Sequence, residues 1–109
     1  MEYRVFQCPI SGFISITLRI VFVEGNYVLL DESPWNELQL ELLDDTWFVE
    51  VDLDEAMTRV YNRQVGNGRD PEIVKGRIAG NDRPNAELVE ACKRNAKVVV
   101  PSSIPFRPK

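Results

Sequence analysis

Three short runs of β-branched and aromatic residues, Leu18–Val23, Thr46–Val51 and Val98–Val100, constrain this chain more than any other feature. Each is short enough for a strand, and its side chains suit a pleated, half-buried backbone. Between them the apolar residues fall at helical spacing. Strands alternating with helices argue for an α/β fold, a parallel sheet with helices packed over it. Thr46–Val51 carries a single charge, Glu50, which predicts a strand buried on both faces. About three parallel strands with flanking helices are expected, so the sheet has few central members and thin cover.

Local signals place the helices. Pro34 opens a short one with Trp35, Leu38, Leu42 and Leu43 on one side. Asp52 is positioned as an N-cap, with Glu55 three residues on completing a capping-box pattern. Ala56, Met57, Val60, Tyr61 and Val65 then form an apolar stripe, and Gly66-Asn67-Gly68 stops the helix. Asp70-Pro71 starts the next, with Ile73, Val74 and Ile78 facing inward and an end near Gly80. A turn at residues 81–85 leads to a further helix aligning Leu88, Val89, Cys92 and Ala96. Residues 1–20 form an unassigned segment in which a strand begins, 21–100 the main domain, and 101–109 a proline-broken, loosely packed tail.

Composition removes several function classes. At 109 residues the chain is one domain or a piece of one. Its net charge of −4 argues against a nonspecific nucleic-acid binder, which needs a basic face to displace counterions. Histidine is absent, so there is no Ser-His-Asp triad, Cys-His dyad or histidine zinc site. Cys8 and Cys92 lie far apart without CxxC spacing and read as reduced thiols. The apolar stretch Ile10–Leu30 is interrupted by Arg19 and Glu24, which disfavours a membrane span. No basic stretch precedes it as in a signal peptide. A cytoplasmic protein without membrane association is expected.

Three constellations could carry chemistry. Glu24 follows the apolar run Val21–Val23 and precedes Gly25, at the end of a strand where open α/β sheets bind ligands. It could hold a magnesium-bound water or accept a bond from a hydroxyl; its plain reading is a strand-ending turn. Arg59 and Arg63, four apart, share a helix face, and Arg69 follows in the glycine-containing loop. Guanidinium groups bind phosphate oxygens in a forked geometry, although a solvated face paired with Glu55, Asp70 or Glu72 is the plainer outcome. Asn81 and Asp82, within Asn81-Asp-Arg-Pro-Asn85, suit either a capped turn or a polar loop closing over a nucleotide.

In this order, the pieces resemble the uridine kinase-like branch of P-loop kinases, with its pantothenate kinase-like and phosphoribulokinase-like members. Val21-Phe-Val-Glu-Gly-Asn-Tyr-Val-Leu-Leu30 is similar to the family's apolar strand ending in Glu-Gly. Thr46-Trp-Phe-Val-Glu-Val-Asp-Leu-Asp54 is similar to the next strand, and Arg59-x-x-x-Arg63 with Gly68-Arg69-Asp70 to the lid over the phosphates. Asn81-Asp-Arg-Pro-Asn85 matches a feature of less-characterised members. The likeness covers residues 21–100 and implies part of a P-loop NTPase fold. It implies transfer of the ATP γ-phosphoryl group to a small-molecule hydroxyl with Mg2+. Arg59, Arg63, Arg69, Asn81 and Asp82 would meet the nucleotide, and Glu24 would lie near metal and acceptor.

The departure is equally specific. The sequence contains no G-x-x-x-x-G-K-[ST] and no Gly-Lys pair, and residues 1–20 bear no family likeness. Little or no turnover is expected from these residues alone. One reading is therefore the C-terminal part of a truncated or incompletely read kinase. Another is a non-catalytic interaction or nucleotide-binding domain that self-associates or pairs with a full-length paralogue. A small α/β protein unrelated to kinases is the third.

Overall fold

A computed structural model of the chain describes residue 17 and residues 19–102. In chain order the elements are helix α1 (Trp35–Leu42), strand β1 (Trp47–Glu50), helix α2 (Leu53–Gly66) and helix α3 (Pro71–Arg77). A π-helical turn (Ile78–Asp82), helix α4 (Arg83–Ala91), a 3-10 turn (Cys92–Asn95) and strand β2 (Val98–Pro101) follow. The strands pair in parallel, Trp47 beside Val98 and Glu50 beside Pro101, with α2 to α4 forming the crossover. The fold is mixed α/β, with two paired strands among the described residues rather than the expected three.

The missing member is the run at Leu18–Val23. Leu18 lies outside the described residues, and Ile20 to Val23 are exposed and in no strand. A strand needs a hydrogen-bonding neighbour, and no described strand lies beside this run. Burial begins later, at Leu29 and Leu30, which pack with Cys92 against Tyr27, Trp35, Phe48 and Ala96. Polar bonds fix this small core. The Asn95 side-chain amide donates to the Leu29 carbonyl (2.9 Å) and to Asp31 Oδ1 (2.6 Å). Thr46 Oγ1 donates to the Asn95 carbonyl at 3.2 Å, and Gln39 Nε2 to the Leu30 carbonyl at 3.0 Å.

The expectation that β1 is buried on both faces also needs correction. Phe48 joins the core, but Trp47 and Val49 are 61% and 64% exposed because no described element packs over their face. Trp35 on α1 and Leu43 just past its end are half-buried while Leu38 and Leu42 are exposed, so only part of the foreseen stripe is used.

The local signals in the crossover hold better. Asp52 accepts from the Asp54 and Glu55 amides, capping α2 as expected. Glu55 does not complete the reciprocal box; its carboxylate pairs with Arg59 instead. All five stripe residues of α2 are buried or half-buried. The helix ends at Asn67, and Gly68 supplies the positive φ of 86° that the turn into α3 requires. Asp70 caps α3 through the Glu72 and Ile73 amides. Val74 is buried and Ile78 half-buried, whereas Ile73 points to solvent.

At Asn81–Asn85 the structure has no loop. The backbone runs helically from Pro71 to Ala91 through the π-turn, in which the Arg83 amide donates to the Ile78 carbonyl, five residues back. Proline has no amide, and its ring would collide with a carbonyl four residues earlier, here that of Gly80. The widened turn accommodates Pro84 without ending the helix. Cys92 is a free, buried thiol; Cys8 and the tail beyond residue 102 lie outside the described residues. Among the described residues no helix is long and apolar enough to cross a membrane.

The core is small enough that single truncations discriminate. Leu29→Ala, at an 8% exposed site, is expected to cost about 2–3 kcal/mol. Leu40→Ala, at 89% exposed, should stay within about 0.5 kcal/mol. Urea unfolding midpoints of the two variants measure the difference.

Candidate functional site

The carboxyl ends of the paired strands, where open α/β sheets place their ligands, open into a cleft of 660 Å3. Glu50 and Pro101 form its floor, and Asp52, Asp54 and Glu55 at the start of α2 form one wall. Arg83 and Glu90 close it from α4. Carboxylates dominate this lining, and cations behind them hold most in place.

Lys93 is the main clamp. Its Nζ donates to Glu50 Oε1 at 2.6 Å and to Glu90 Oε1 at 2.5 Å, joining β1 to α4 across the cleft wall. The bond to Glu50 first, then that to Glu90, pushes the ammonium pKa above its ordinary value, against a smaller opposing effect of burial. Arg83 does the same between helices, donating to Asp54 Oδ1 at 2.7 Å and approaching Glu87 at 3.4 Å. Its pKa is raised, chiefly by Asp54. Sequence reasoning missed Lys93 and Glu90. The available signals were their i,i+3 spacing and the lone charge at Glu50, which needs a cation when the strand packs.

The residues expected to meet a nucleotide fall into three groups. Arg59 is engaged: it pairs with Glu55 at the cleft rim, and its Nη1 donates to Ser102 Oγ at 2.8 Å, just beyond β2. Arg63 and Arg69 are exposed and make no side-chain hydrogen bond or ion pair among the described residues. Glu55, Arg59 and Arg63 occupy successive turns of one α2 face, so Arg63 lies ~12 Å along the axis from Glu55. Arg69 follows the loop where α2 ends, with its amide bonded to the Gln64 carbonyl at 3.2 Å.

Asn81 and Asp82 lie on the π-turn. Asn81 exchanges long contacts with Asp82 (3.5 Å) and Asn85 (3.4 Å), and Asp82 stands 3.9 Å from Arg77. Glu24 is exposed and makes no hydrogen bond or ion pair with any of these groups. Among the described residues no three acidic or thiol groups converge as ligands for a metal ion.

Comparison with known proteins bears on this geometry. No family model matches the chain, and no solved structure matches it. The chain is similar to proteins named as kinases. It is 32% identical over 97 residues to an ATP-dependent kinase-like protein, notR', of Aspergillus versicolor, covering 87% of this chain and 56% of that protein. It is 32% identical over 78 residues to the ATP-dependent kinase YFH7 of Zygosaccharomyces rouxii, covering 65% of this chain and 20% of that one. An uncharacterized Escherichia coli protein, YggC, is 29% identical over 92 residues, 84% of this chain and 38% of its own length. The chain thus spans about half the length, or less, of these relatives. A distant kinase-like relationship is what the two proteins named as kinases support.

The Lys93 clamp has a defined pH signature. A raised folded-state pKa means stabilisation that is full below the unfolded value near 10.5 and lost as pH rises through the folded value. Lys93→Met should therefore melt below the parent at neutral pH, and the gap should close above pH 10.5. Paired thermal melts across that range provide the check.

Proposed function

We propose that these residues are the lid-bearing part of a P-loop kinase-like phosphotransferase of the uridine kinase-like type. Arg63 and Arg69 contact the phosphates of ATP, and the cleft takes a small-molecule acceptor through its hydroxyl groups. The observation that carries this reading is the separation of charge along α2. Two arginines without acidic partners among the described residues stand at its C-terminal end, and a carboxylate-lined cleft opens at its N-terminal end. A polyanion and a hydroxyl-bearing molecule are the two substrates of phosphoryl transfer. Carboxylates repel the first and accept hydrogen bonds from the second. The kinase names of two relatives support the same direction.

Arg59 serves both ends in this proposal, holding the cleft rim through Glu55 while standing one turn from Arg63. Asn81 and Asp82 contribute on the π-turn, and Glu24 contacts Mg2+ through water. In this reading the magnesium ion arrives bound to the phosphates of the nucleotide. Cytoplasm, where ATP is abundant, is the compartment this reading implies.

A non-catalytic reading has its own support. The 109 residues contain no G-x-x-x-x-G-K-[ST], whose amides and lysine hold the β- and γ-phosphates. We therefore assign these residues nucleotide contact and expect negligible transfer from them alone. Titration calorimetry with ATP and Mg2+ tests the assignment. Joint replacement of Arg63 and Arg69 by Ala is expected to weaken binding by at least about a hundredfold, since each lost hydrogen bond to a charged group typically costs about tenfold or more. Lys75→Ala, which removes an exposed cation already paired with Glu72, should leave affinity unchanged. Equal affinity of parent and double variant, or no binding by the parent, would sink the lid assignment.

A further inference from the structure

We propose that a second cavity, the groove between α2 and the π-turn, binds a small aromatic monocarboxylate. Met57 and Tyr61 of α2 form one side, Ile78 and Ala79 of the π-turn the other, and Lys75 and Arg83 complete the lining. No carboxylate lines this groove. The cleft at the strand ends shares only Arg83 with it and carries five carboxylates, so it repels the ligand that the groove attracts.

Local structure brings these residues together. Met57 and Tyr61 lie four apart and share one face of α2. Lys75 stands three and four residues before Ile78 and Ala79, so the helical run carries it to the same side. The π-turn takes one extra residue into its circuit, and such turns recur at functional sites. Ala79 contributes only a methyl group there, which leaves the groove open.

The lining selects both halves of the ligand. The Met57 thioether and the Tyr61 ring favour an aromatic body, through sulfur–ring contact and offset stacking. Lys75 donates to Glu72 Oε1 at 2.7 Å and has two further N–H groups. It lies near Tyr61, which adds to the rise in its pKa after the larger effect of Glu72. The Tyr61 hydroxyl makes no hydrogen bond among the described residues. Ammonium and phenol thus offer two donors to one carboxylate. Arg83 adds positive charge, and the carboxylates holding the two cations, Glu72 and Asp54, lie outside the lining. At 340 Å3 the groove is near the lower end of the ~300–1,000 Å3 typical of ligand sites, which suits one ring with a short acidic arm. This inference is independent of the kinase reading.

Titration of the full chain with cinnamate, followed through the methyl resonances of Met57, Ile78 and Ala79, provides the test. Saturable shifts at these three methyls are expected. Cinnamamide, the neutral counterpart of similar shape, should bind at least about tenfold more weakly. Lys75→Ala should weaken cinnamate binding about tenfold, and Tyr61→Phe by a smaller factor. Lys97→Ala, which removes an exposed cation outside the groove, should change nothing. Ala79→Leu, at an exposed position, should block binding by filling the groove. Circular dichroism confirms that each variant is folded, and Lys75→Ala decides the matter if Ala79→Leu is not. Three results overturn the proposal. One is the absence of saturable shifts at the three methyls. Another is equal affinity for cinnamate and cinnamamide with no effect of Lys75→Ala, meaning adsorption to exposed apolar surface. The third is binding that survives Ala79→Leu in the folded protein or shifts Leu53 of the cleft instead.

Discussion

The parallel pairing of β1 with β2 is the constraint on which the rest of this structure depends. Thr46, just before β1, accepts the Lys97 and Val98 amides at 2.9 and 3.1 Å, and Glu50 at its end accepts the Ser102 amide at 2.7 Å. Those bonds bring residues fifty apart in sequence side by side. They set Glu50 within reach of Lys93, put Ser102 beneath Arg59, and open the cleft at the strands' carboxyl ends. A parallel pair cannot be closed by a tight turn, so the crossover through α2, α3 and α4 is a geometric necessity. That crossover also carries every arginine of interest from Arg59 to Arg83.

The core is correspondingly modest. Leu29, Leu30 and Cys92 are held as much by the bonds of Asn95, Thr46 and Gln39 as by apolar area. Asn95 is the joint: it ties the loop after Glu24 to the start of β1. This is why the segment 27–31 is well fixed although it belongs to neither a helix nor a strand.

What was legible in the sequence was local. The caps at Asp52 and Asp70, the stop at Gly66–Gly68 and the stripe of α2 each depend on neighbours within a turn or two, and the structure has them all. What was not legible depends on partners distant in sequence. A β-branched run such as Ile20–Val23 signals strand propensity, but pairing decides, and no described strand offers it an edge. The bare face at Trp47 and Val49 escaped for the same reason, since an apolar run does not reveal how many layers will cover it. Asn81–Asn85 misled differently. Its residues favour a turn, yet a π-turn absorbs the proline at lower cost than breaking a helical run that packs against α2 both before and after it. In the candidate site the arginines were visible from their spacing. The Lys93 clamp joins residues 43 apart and became visible only with the fold.

The proposed division of labour along α2 assigns phosphate to the Arg63 and Arg69 end and leaves the carboxylates at the cleft. Nuclear magnetic resonance of the arginine Nε–Hε groups, titrated with inorganic tripolyphosphate, tests that division most directly. The account predicts saturable shifts at Arg63 and Arg69, with Arg59 and Arg83, already held by Glu55 and Asp54, little changed. Uniform small shifts across all four, or movement confined to Arg59 and Arg83, would contradict it.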